Sequence, residues 1–200
     1  GGLVAYLDHT AKGAMPFLRP PRLGQSAQHM AIDAATRESL ELTQTTSGVR
    51  KGSLLDAIDR TVTAAGARLL AADLGAPLME RTRIEARYDL VTLLTEDSGL
   101  RESLRGTLRS MADIGRALGR LAAGRGSPRD LGQLRDGLDG AWRLGERLDR
   151  IDQPPALLKD LAPRLRGHGA LIDLLSRALV PSPPIDASDG GYIAAGYDAA

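Results

Sequence analysis

Apolar residues recur at intervals of three and four along most of the chain, the spacing that places them on one face of an α-helix. The clearest runs are Ile84, Tyr88, Val91 and Leu94, then Leu100, Leu104, Leu108 and Met111, then Ile114, Leu118 and Leu121. The segments ALLKDLAPRLR and ALIDLLSRALV predict two shorter helices further on. Strand-like runs occur only near residues 29–32 and 189–197. We therefore predict an all-α, multi-helix domain with at most short strands at those two places.

Polar residues mark where several of these helices should begin. The predicted caps are Asp33, the pair Ser53 and Asp56, either Thr61 or Thr63, and Ser127. Each has a side-chain oxygen that can accept a hydrogen bond from a backbone N–H in the first turn. The helix after Asp33 is expected to include Leu42, and the helix after Thr63 is expected to end at Gly75.

The sharpest local signal is the sequence SPRD, in which Ser127 is the cap, Pro128 takes the first helical position and Asp130 the third. The helix should run to about Arg150, with a narrow apolar seam formed by Leu131, Leu134, Leu138, Ala141, Gly145 and Leu148. Glycines weaken this helix in isolation, so packing must support it. They are Gly132, Gly137, Gly140 and Gly145. Another helical glycine, Gly66, is predicted to lie where two helices approach closely.

Three regions follow from these patterns. Residues 1–24 should form a short helix, from about Leu3 to Lys12, and a Pro-rich linker. Residues 25–180 should form the helical core. Residues 181–200 should form a loop that turns at Asp189 to Gly191 before a small strand.

Composition excludes several classes of protein. Hydrophobic residues make up 42% of the 200 residues but aromatic ones only 3%, which suits closely packed helices and argues against a β-sandwich. The net charge of +1 gives the chain no overall attraction for nucleic acid or acidic membranes. Cysteine is absent, and no apolar run is long enough to span a bilayer. We expect a soluble, cytoplasmic protein without membrane contact.

The loop SGVRKGS is the first candidate for chemistry, because glycines with a lysine can hold a phosphate. Its spacing differs from a P-loop: Gly48 and Gly52 are separated by three residues, and Lys51 precedes the second glycine. A loop that joins two helices is the favoured interpretation. The histidines stand far apart in the sequence, at His9, His29 and His168, which argues against a metal site. We assign no catalytic, cofactor-binding or metal-binding residue to the chain.

Basic residues could instead contact a phosphate backbone. The candidates are Arg50, Lys51, Arg105, Arg109, Arg116 and Arg120. Acidic residues lie among them and aromatic residues that could stack on bases are missing, so solvated helix faces are the favoured interpretation. Phosphate contact stays an open alternative, and the residues that touch DNA, if any do, stay unknown.

Five blocks of sequence resemble, in the same order, the core or lever region of the MutS family of bacterial DNA mismatch-repair proteins. They are IDAATRESLELTQT, GSLLDAIDRTVTAAGARLL, APL, SPRDLGQLRDGL and DGGYIAAGYDAA. Residues 52–69 carry the most specific motif, and LVAYLDHTAKGAMPFLRPP is similar to the family's linker from the connector domain. The sequence departs from the family pattern at Ser39, Tyr88 and Gly115, positions where local packing or helix stability is in question.

The resemblance implies a structural role. In this family the core transmits the state of a distant ATPase domain to a clamp that grips DNA, and the helix after Ser127 is the candidate lever. The resemblance also implies that ATP and magnesium belong to the full-length protein, that the connector, clamp and ATPase domains are partners, and that the full-length protein is a homodimer on mismatched double-stranded DNA, associated with the nucleoid. Phe17 is followed by Leu18 and not by the Phe-x-Glu pattern of the mismatch reader.

A second class fits the helical pattern as well, a self-sufficient helical adaptor or regulatory protein-interaction domain. Such a domain should be a stable monomer with a closed core. A core segment of a larger protein should instead expose apolar helix surface that other parts of that protein cover. In either case the chain itself should be neither an ATPase nor a reader of mismatches.

Overall fold

The computed structural model describes residues 2–10 and 28–197, and nearly all of their regular structure is helical. Ten α-helices occur in these residues: α1 Gly2–Thr10, α2 Ala34–Ser39, α3 Leu54–Ile58, α4 Ala64–Gly75, α5 Arg81–Glu96, α6 Ser98–Ser110, α7 Ile114–Ala122, α8 Pro128–Leu148, α9 Ala156–Leu161 and α10 Gly169–Ala178. The all-α prediction is confirmed. The proline-rich part of the predicted linker lies outside the described residues.

The two strand-like runs form only single antiparallel bridges. His29 pairs with Leu78, and Leu179 pairs with Ile193. Hydrogen bonds hold the first bridge, from the Met30 N–H to the Pro77 carbonyl at 2.8 Å. The turn before Ile193 forms where it was expected, because glycines at 190 and 191 adopt φ values of 64° and 66° that other residues rarely take.

Local capping accounts for most helix starts. The Asp33 carboxylate accepts the Thr36 N–H at 2.8 Å, and Thr63, not Thr61, caps α4. The predicted box at α3 forms only in part. Ser53 accepts the Asp56 N–H, but the Asp56 carboxylate accepts from Gly52 at 3.0 Å. These caps need only residues within one turn, which is why the sequence predicts them.

Two helices end earlier than expected. The first, α2, ends at Ser39, because Glu41 takes a φ of 47° that reverses the chain, and Leu42 is buried beyond the helix. The second, α9, ends at Leu161 and continues as a 3₁₀ turn, Ala162–Leu165. Pro163 has no N–H for the next α-helical hydrogen bond, so the tighter turn replaces it.

The core is organised around α8, which is unbroken over 21 residues and about 31 Å long. It packs against α6, α7, α10 and the 3₁₀ turn. One apolar cluster lies on its C-terminal half and a second on its N-terminal half. The buried members of the first are Leu144, Leu148, Leu158 and Ala162, and those of the second are Leu134, Leu175 and Leu179. The predicted continuous helix is confirmed, although its buried surface is wider than one seam.

The prediction for Gly66 is wrong. A Cβ on this residue would meet Thr63 Oγ1 at 3.0 Å and carbon atoms of Thr61, not a second helix. Gly66 lies in the first turn of α4, where its N–H donates to the capping Thr63 hydroxyl at 2.9 Å. Close helix approach occurs on α8 instead, where a Cβ on Gly137 would lie 3.0 Å from Ile114 Cδ1.

Candidate functional site

The N-terminus of α8 is joined to α7 through a buried carboxylate. Asp130 closes a capping box with Ser127, since each residue accepts the other's backbone N–H, and Arg120 Nε donates to Asp130 Oδ1 at 2.9 Å. The Asp130 side chain is only 6% exposed. The Arg120 guanidinium holds the pKa of Asp130 at about 2, against the opposing effect of burial. The carboxylate therefore stays charged and holds the start of α8 in place.

A second carboxylate, Asp113, links α7 to α4. It caps α7 through the Arg116 N–H at 3.2 Å and accepts Arg68 Nη2 at 3.0 Å. Its other oxygen makes no hydrogen bond of good angle, but it lies 2.9 Å from Arg68 Nη1, so this contact is mainly electrostatic. The hydrogen bond from Arg68 is the main reason that the pKa of Asp113 is lowered. This pair ties the α4 region to the body built on α8.

Arginines also fix the other end of α8. Arg147 Nη1 donates to the Ser103 carbonyl at 3.3 Å and to Thr107 Oγ1 at 3.2 Å, both on α6. Arg166, directly after the 3₁₀ turn, pairs with Asp149 at 2.5 Å. With apolar clusters on both halves and polar contacts at both ends, α8 has the surroundings of a rigid rod.

The loop at residues 48–53 uses its own backbone groups internally. The Gly48 N–H donates to Thr45 at 2.8 Å, the Ser53 N–H to Arg50 at 3.0 Å, and the Gly52 N–H to Asp56. These three donors are thus engaged with other protein groups and do not point at a phosphate. Arg50 is paired with Asp59. These contacts favour the interpretation of the loop as a junction between α2 and α3.

The three histidines do not come together. His9 lies in the last turn of α1, His29 bonds the Ala76 carbonyl at 2.8 Å, and His168 precedes α10. Within residues 2–10 and 28–197, no group of three or more His, Asp or Glu side chains could hold a metal ion.

Most of the candidate phosphate-binding residues have protein partners. Arg105 donates to the Arg60 carbonyl at 2.9 Å, Arg116 lies 3.7 Å from Asp113, and Arg120 pairs with Asp130. Lys51 and Arg109 are exposed. Of the six candidates, only Lys51 and Arg109 therefore lack a protein partner among the described residues, and these contacts do not favour a shared phosphate-binding groove.

Large apolar side chains are exposed on α4 and α5, and also on helices of the body around α8, such as Leu118 of α7 and Leu174 of α10. Leu69 on α4 is 61% exposed, and on α5 Tyr88 is 65% and Val91 is 58% exposed. Against the residues that the structure describes, α4, α5 and α6 bury none of their own residues. Such a surface is typical of a segment that other protein covers.

The long-range contacts of arginine could not be predicted from the sequence. Arg68 with Asp113, Arg147 with α6, and Arg135 with the carbonyls of residues 180 and 181 each join positions about 40 to 46 residues apart. An arginine on an amphipathic helix carries no local signal of which distant carbonyl or carboxylate it will meet.

Among the described residues, no helix is both long and apolar enough to cross a membrane.

Comparison with known proteins gives one consistent family. The model of MutS domain III matches residues 35–199. The DNA mismatch repair protein MutS of Zymomonas mobilis subsp. mobilis is 56% identical over 197 residues, which are 98% of this chain and 23% of that protein. The protein of the same name from Erythrobacter litoralis is 55% identical over 200 residues, 100% of this chain and 23% of the relative. The chain thus spans about a quarter of the length of these relatives.

Proposed function

The chain belongs to the MutS family, within its domain III, and on that premise we propose that it is the structural core, or lever, of a DNA mismatch-repair protein. The proposed role is to couple an ATPase domain to a clamp that grips DNA. The match supports the resemblance drawn from the sequence blocks and gives the fold a place in a larger protein. The coupling role itself goes beyond the match.

Helix α8 is the observation that carries the proposal. It is continuous over 21 residues, it contacts both apolar clusters, and charged side chains fix its two ends. A displacement at one end of such a rod moves the other end, because bending it would open packed side chains on both halves. A lever needs this property.

The remaining parts of the mechanism belong to other parts of the protein in this proposal. The partners are the connector, clamp and ATPase domains, with mismatched double-stranded DNA bound by a full-length homodimer in the cytoplasm, at the nucleoid. ATP and magnesium bind in the ATPase domain, and this chain contributes no catalytic group. Residues 1–24 are the linker from the connector, residues 25–180 the core, and residues 181–200 the passage toward the clamp.

The coupling can be tested by a kink in α8 between its two clusters. Arg143 is suitable because its side chain is 73% exposed and its ion-pair partner is Asp139, one turn earlier on the same helix. Arg143→Pro removes the hydrogen bond to residue 139 and kinks the rod at a cost of roughly 3 kcal/mol. We expect the full-length protein to keep ATP turnover and DNA binding but to lose the effect of mismatched DNA on that turnover.

Arg143→Ala is the matched control, since it removes the same side chain and leaves the rod straight. Its mismatch response should equal that of the unchanged protein. A folded Arg143→Pro variant with a normal mismatch response would contradict the lever. Should this variant unfold, Arg143→Gly, which costs about 1 kcal/mol relative to Ala, provides a weaker flexible point for the same comparison.

The self-sufficient adaptor predicts different behaviour of the isolated 200 residues. A core segment with the exposed side chains of α4 and α5 should bind a hydrophobic dye or self-associate, whereas an adaptor should be a dye-free monomer. The isolated segment should also bind matched and mismatched duplexes equally weakly, with binding lost between ~50 and ~200 mM salt. A tenfold preference for the mismatch, about 1.4 kcal/mol, would place a recognition surface on the segment itself.

A further inference from the structure

The chain after α10 folds back over the N-terminal half of α8 as a strap, residues 179–194. Backbone hydrogen bonds close its two ends on each other, from the Val180 N–H to the Tyr192 carbonyl at 3.0 Å and from the Ala194 N–H to the Ala178 carbonyl at 2.8 Å. Leu179 is buried in the cluster that includes Leu134 of α8. The strap therefore has a defined base, and its middle lies along the helix.

Three residues of α8, spaced three apart, contact the strap. Arg129 donates its backbone N–H to the Pro184 carbonyl at 2.9 Å. Gly132 lets Pro183 approach, since a Cβ there would lie 3.0 Å from Pro183 Cδ. Arg135 donates to two consecutive carbonyls, Nη1 to Val180 at 3.1 Å and Nη2 to Pro181 at 2.8 Å. A spacing of three keeps all of these contacts on one side of the helix.

The chemistry of the strap explains why an arginine stands at position 135. The sequence Pro181–Ser182–Pro183–Pro184 has a single backbone N–H, so it offers the helix almost only carbonyl acceptors. A guanidinium presents several N–H groups in a fixed fork and can bond two carbonyls at once, which the single ammonium of lysine cannot match in geometry. The Arg135 side chain is 12% exposed, so water competes little for these donors.

We propose that Arg135 is a positioning residue that fixes the strap to α8, so that helix and strap form one rigid unit and the chain beyond residue 194 follows the helix. The biological role of this unit rests on the proposed lever function. The physical claim, a strap held by Arg135, is independent of ATP and DNA.

Hydrogen exchange in the protein as it is encoded, with all the residues that flank this chain, provides the test. Arg135→Ala should accelerate exchange of the Val180 and Ala194 amides at least tenfold and leave the Leu144 and Leu148 amides of α8 unchanged. Arg143→Ala is the matched control, because Arg143 lies two turns away on the same helix and pairs with Asp139, not with a carbonyl of the strap. It should change neither group of amides.

Gly132→Ala disrupts the contact between α8 and the strap at a different residue. Its new methyl group displaces Pro183 without removing any charge, so it should accelerate the same strap amides. Arg135→Lys should restore only part of the protection. Unchanged exchange of the strap in Arg135→Ala, or equal acceleration throughout α8, would overturn the proposal. A failed lever test with Arg143→Pro would leave this measurement untouched, so the two failures can be told apart.

Discussion

Helices α8 and α5 show how differently two well-formed helices of one chain can be supported. Nine of the 21 residues of α8 are buried, and they include a charged residue, Asp130, and three glycines. None of the 16 residues of α5 is buried against the described part of the chain, and Tyr88 and Val91 are largely exposed. Leu90 and Leu93 of α5 pack against the C-terminal cluster, but the outer sides of α5 and of its neighbour α4 present a surface for something else to cover.

The largest expected effect comes from truncating one leucine in each region. Leu148→Ala removes a buried side chain of the C-terminal cluster and should lower the free energy of unfolding by about 2 to 4 kcal/mol. Leu69→Ala removes a side chain that is 61% exposed and should cost about 0.5 kcal/mol or less. Urea unfolding of both variants measures the difference, and equal losses would show that the two regions are packed alike.

The next largest effect on stability is expected from substitution of two glycines of α8. Gly137→Ala places a methyl group against Ile114 and should destabilise the protein by roughly 1 to 3 kcal/mol through overpacking. The companion variant is Gly132→Ala, whose methyl group meets Pro183 at 3.0 Å and should cost less, because the strap can move away from α8 more easily than α7 can. Thermal unfolding gives the order directly. A higher melting temperature for Gly137→Ala would mean that α7 does not press closely on α8.

Acid should weaken the α8 region through Asp130. The pKa of this carboxylate is lowered to about 2, so the folded protein holds the charge more strongly than the unfolded chain does. The stabilisation is fully present above a pH of about 5 and is lost as the pH falls toward 2. Because Arg120 is partly exposed, we expect about 1 to 2 kcal/mol. Asp130→Asn should remove this part of the pH dependence in acid titrations followed by circular dichroism.

The smallest expected effect is an increase in stability. Gly106 lies in α6, and a Cβ there would meet no atom of the described residues within 4 Å. Gly106→Ala should therefore raise the free energy of unfolding by roughly 0.4 to 1 kcal/mol, because alanine loses less conformational freedom in a helix. A loss of stability in the same urea measurement would indicate a covering segment that packs closely on α6.

How far the sequence predicts the fold depends on the distance between interacting residues. The caps Asp33, Thr63 and Ser127 act within a single turn, and the sequence predicts Asp33 and Ser127 outright and Thr63 as one of two neighbouring threonines. Contacts between Arg68 and Asp113, or between Arg135 and the strap, join residues about 45 positions apart, and nothing local indicates them. Gly66 was given a packing role for the same reason, since the sequence shows that a glycine is helical but not which helix it faces.

For the candidate site, too, features set by neighbouring residues could be predicted and features set by distant residues could not. The continuous helix after Ser127 could be predicted, because its cap, its first-turn proline and its apolar spacing are all local. The central position of α8 in the body could not be predicted, because it depends on the packing of α6, α7 and α10 against different faces of this helix. The spacing of the loop at residues 48–53 argues against a phosphate cradle, and in the structure the N–H groups of Gly48, Gly52 and Ser53 donate to other protein groups.

The glycines of α8 have a consequence for the order of events during synthesis on the ribosome. Four glycines, Gly132, Gly137, Gly140 and Gly145, each cost the isolated helix up to about 1 kcal/mol relative to alanine. The partners that compensate include α10 and the 3₁₀ turn, which are translated after it. The nascent segment should therefore stay largely non-helical until about 30 further residues, up to the end of α10, have emerged, so the central helix of the finished domain is among the last elements to become ordered.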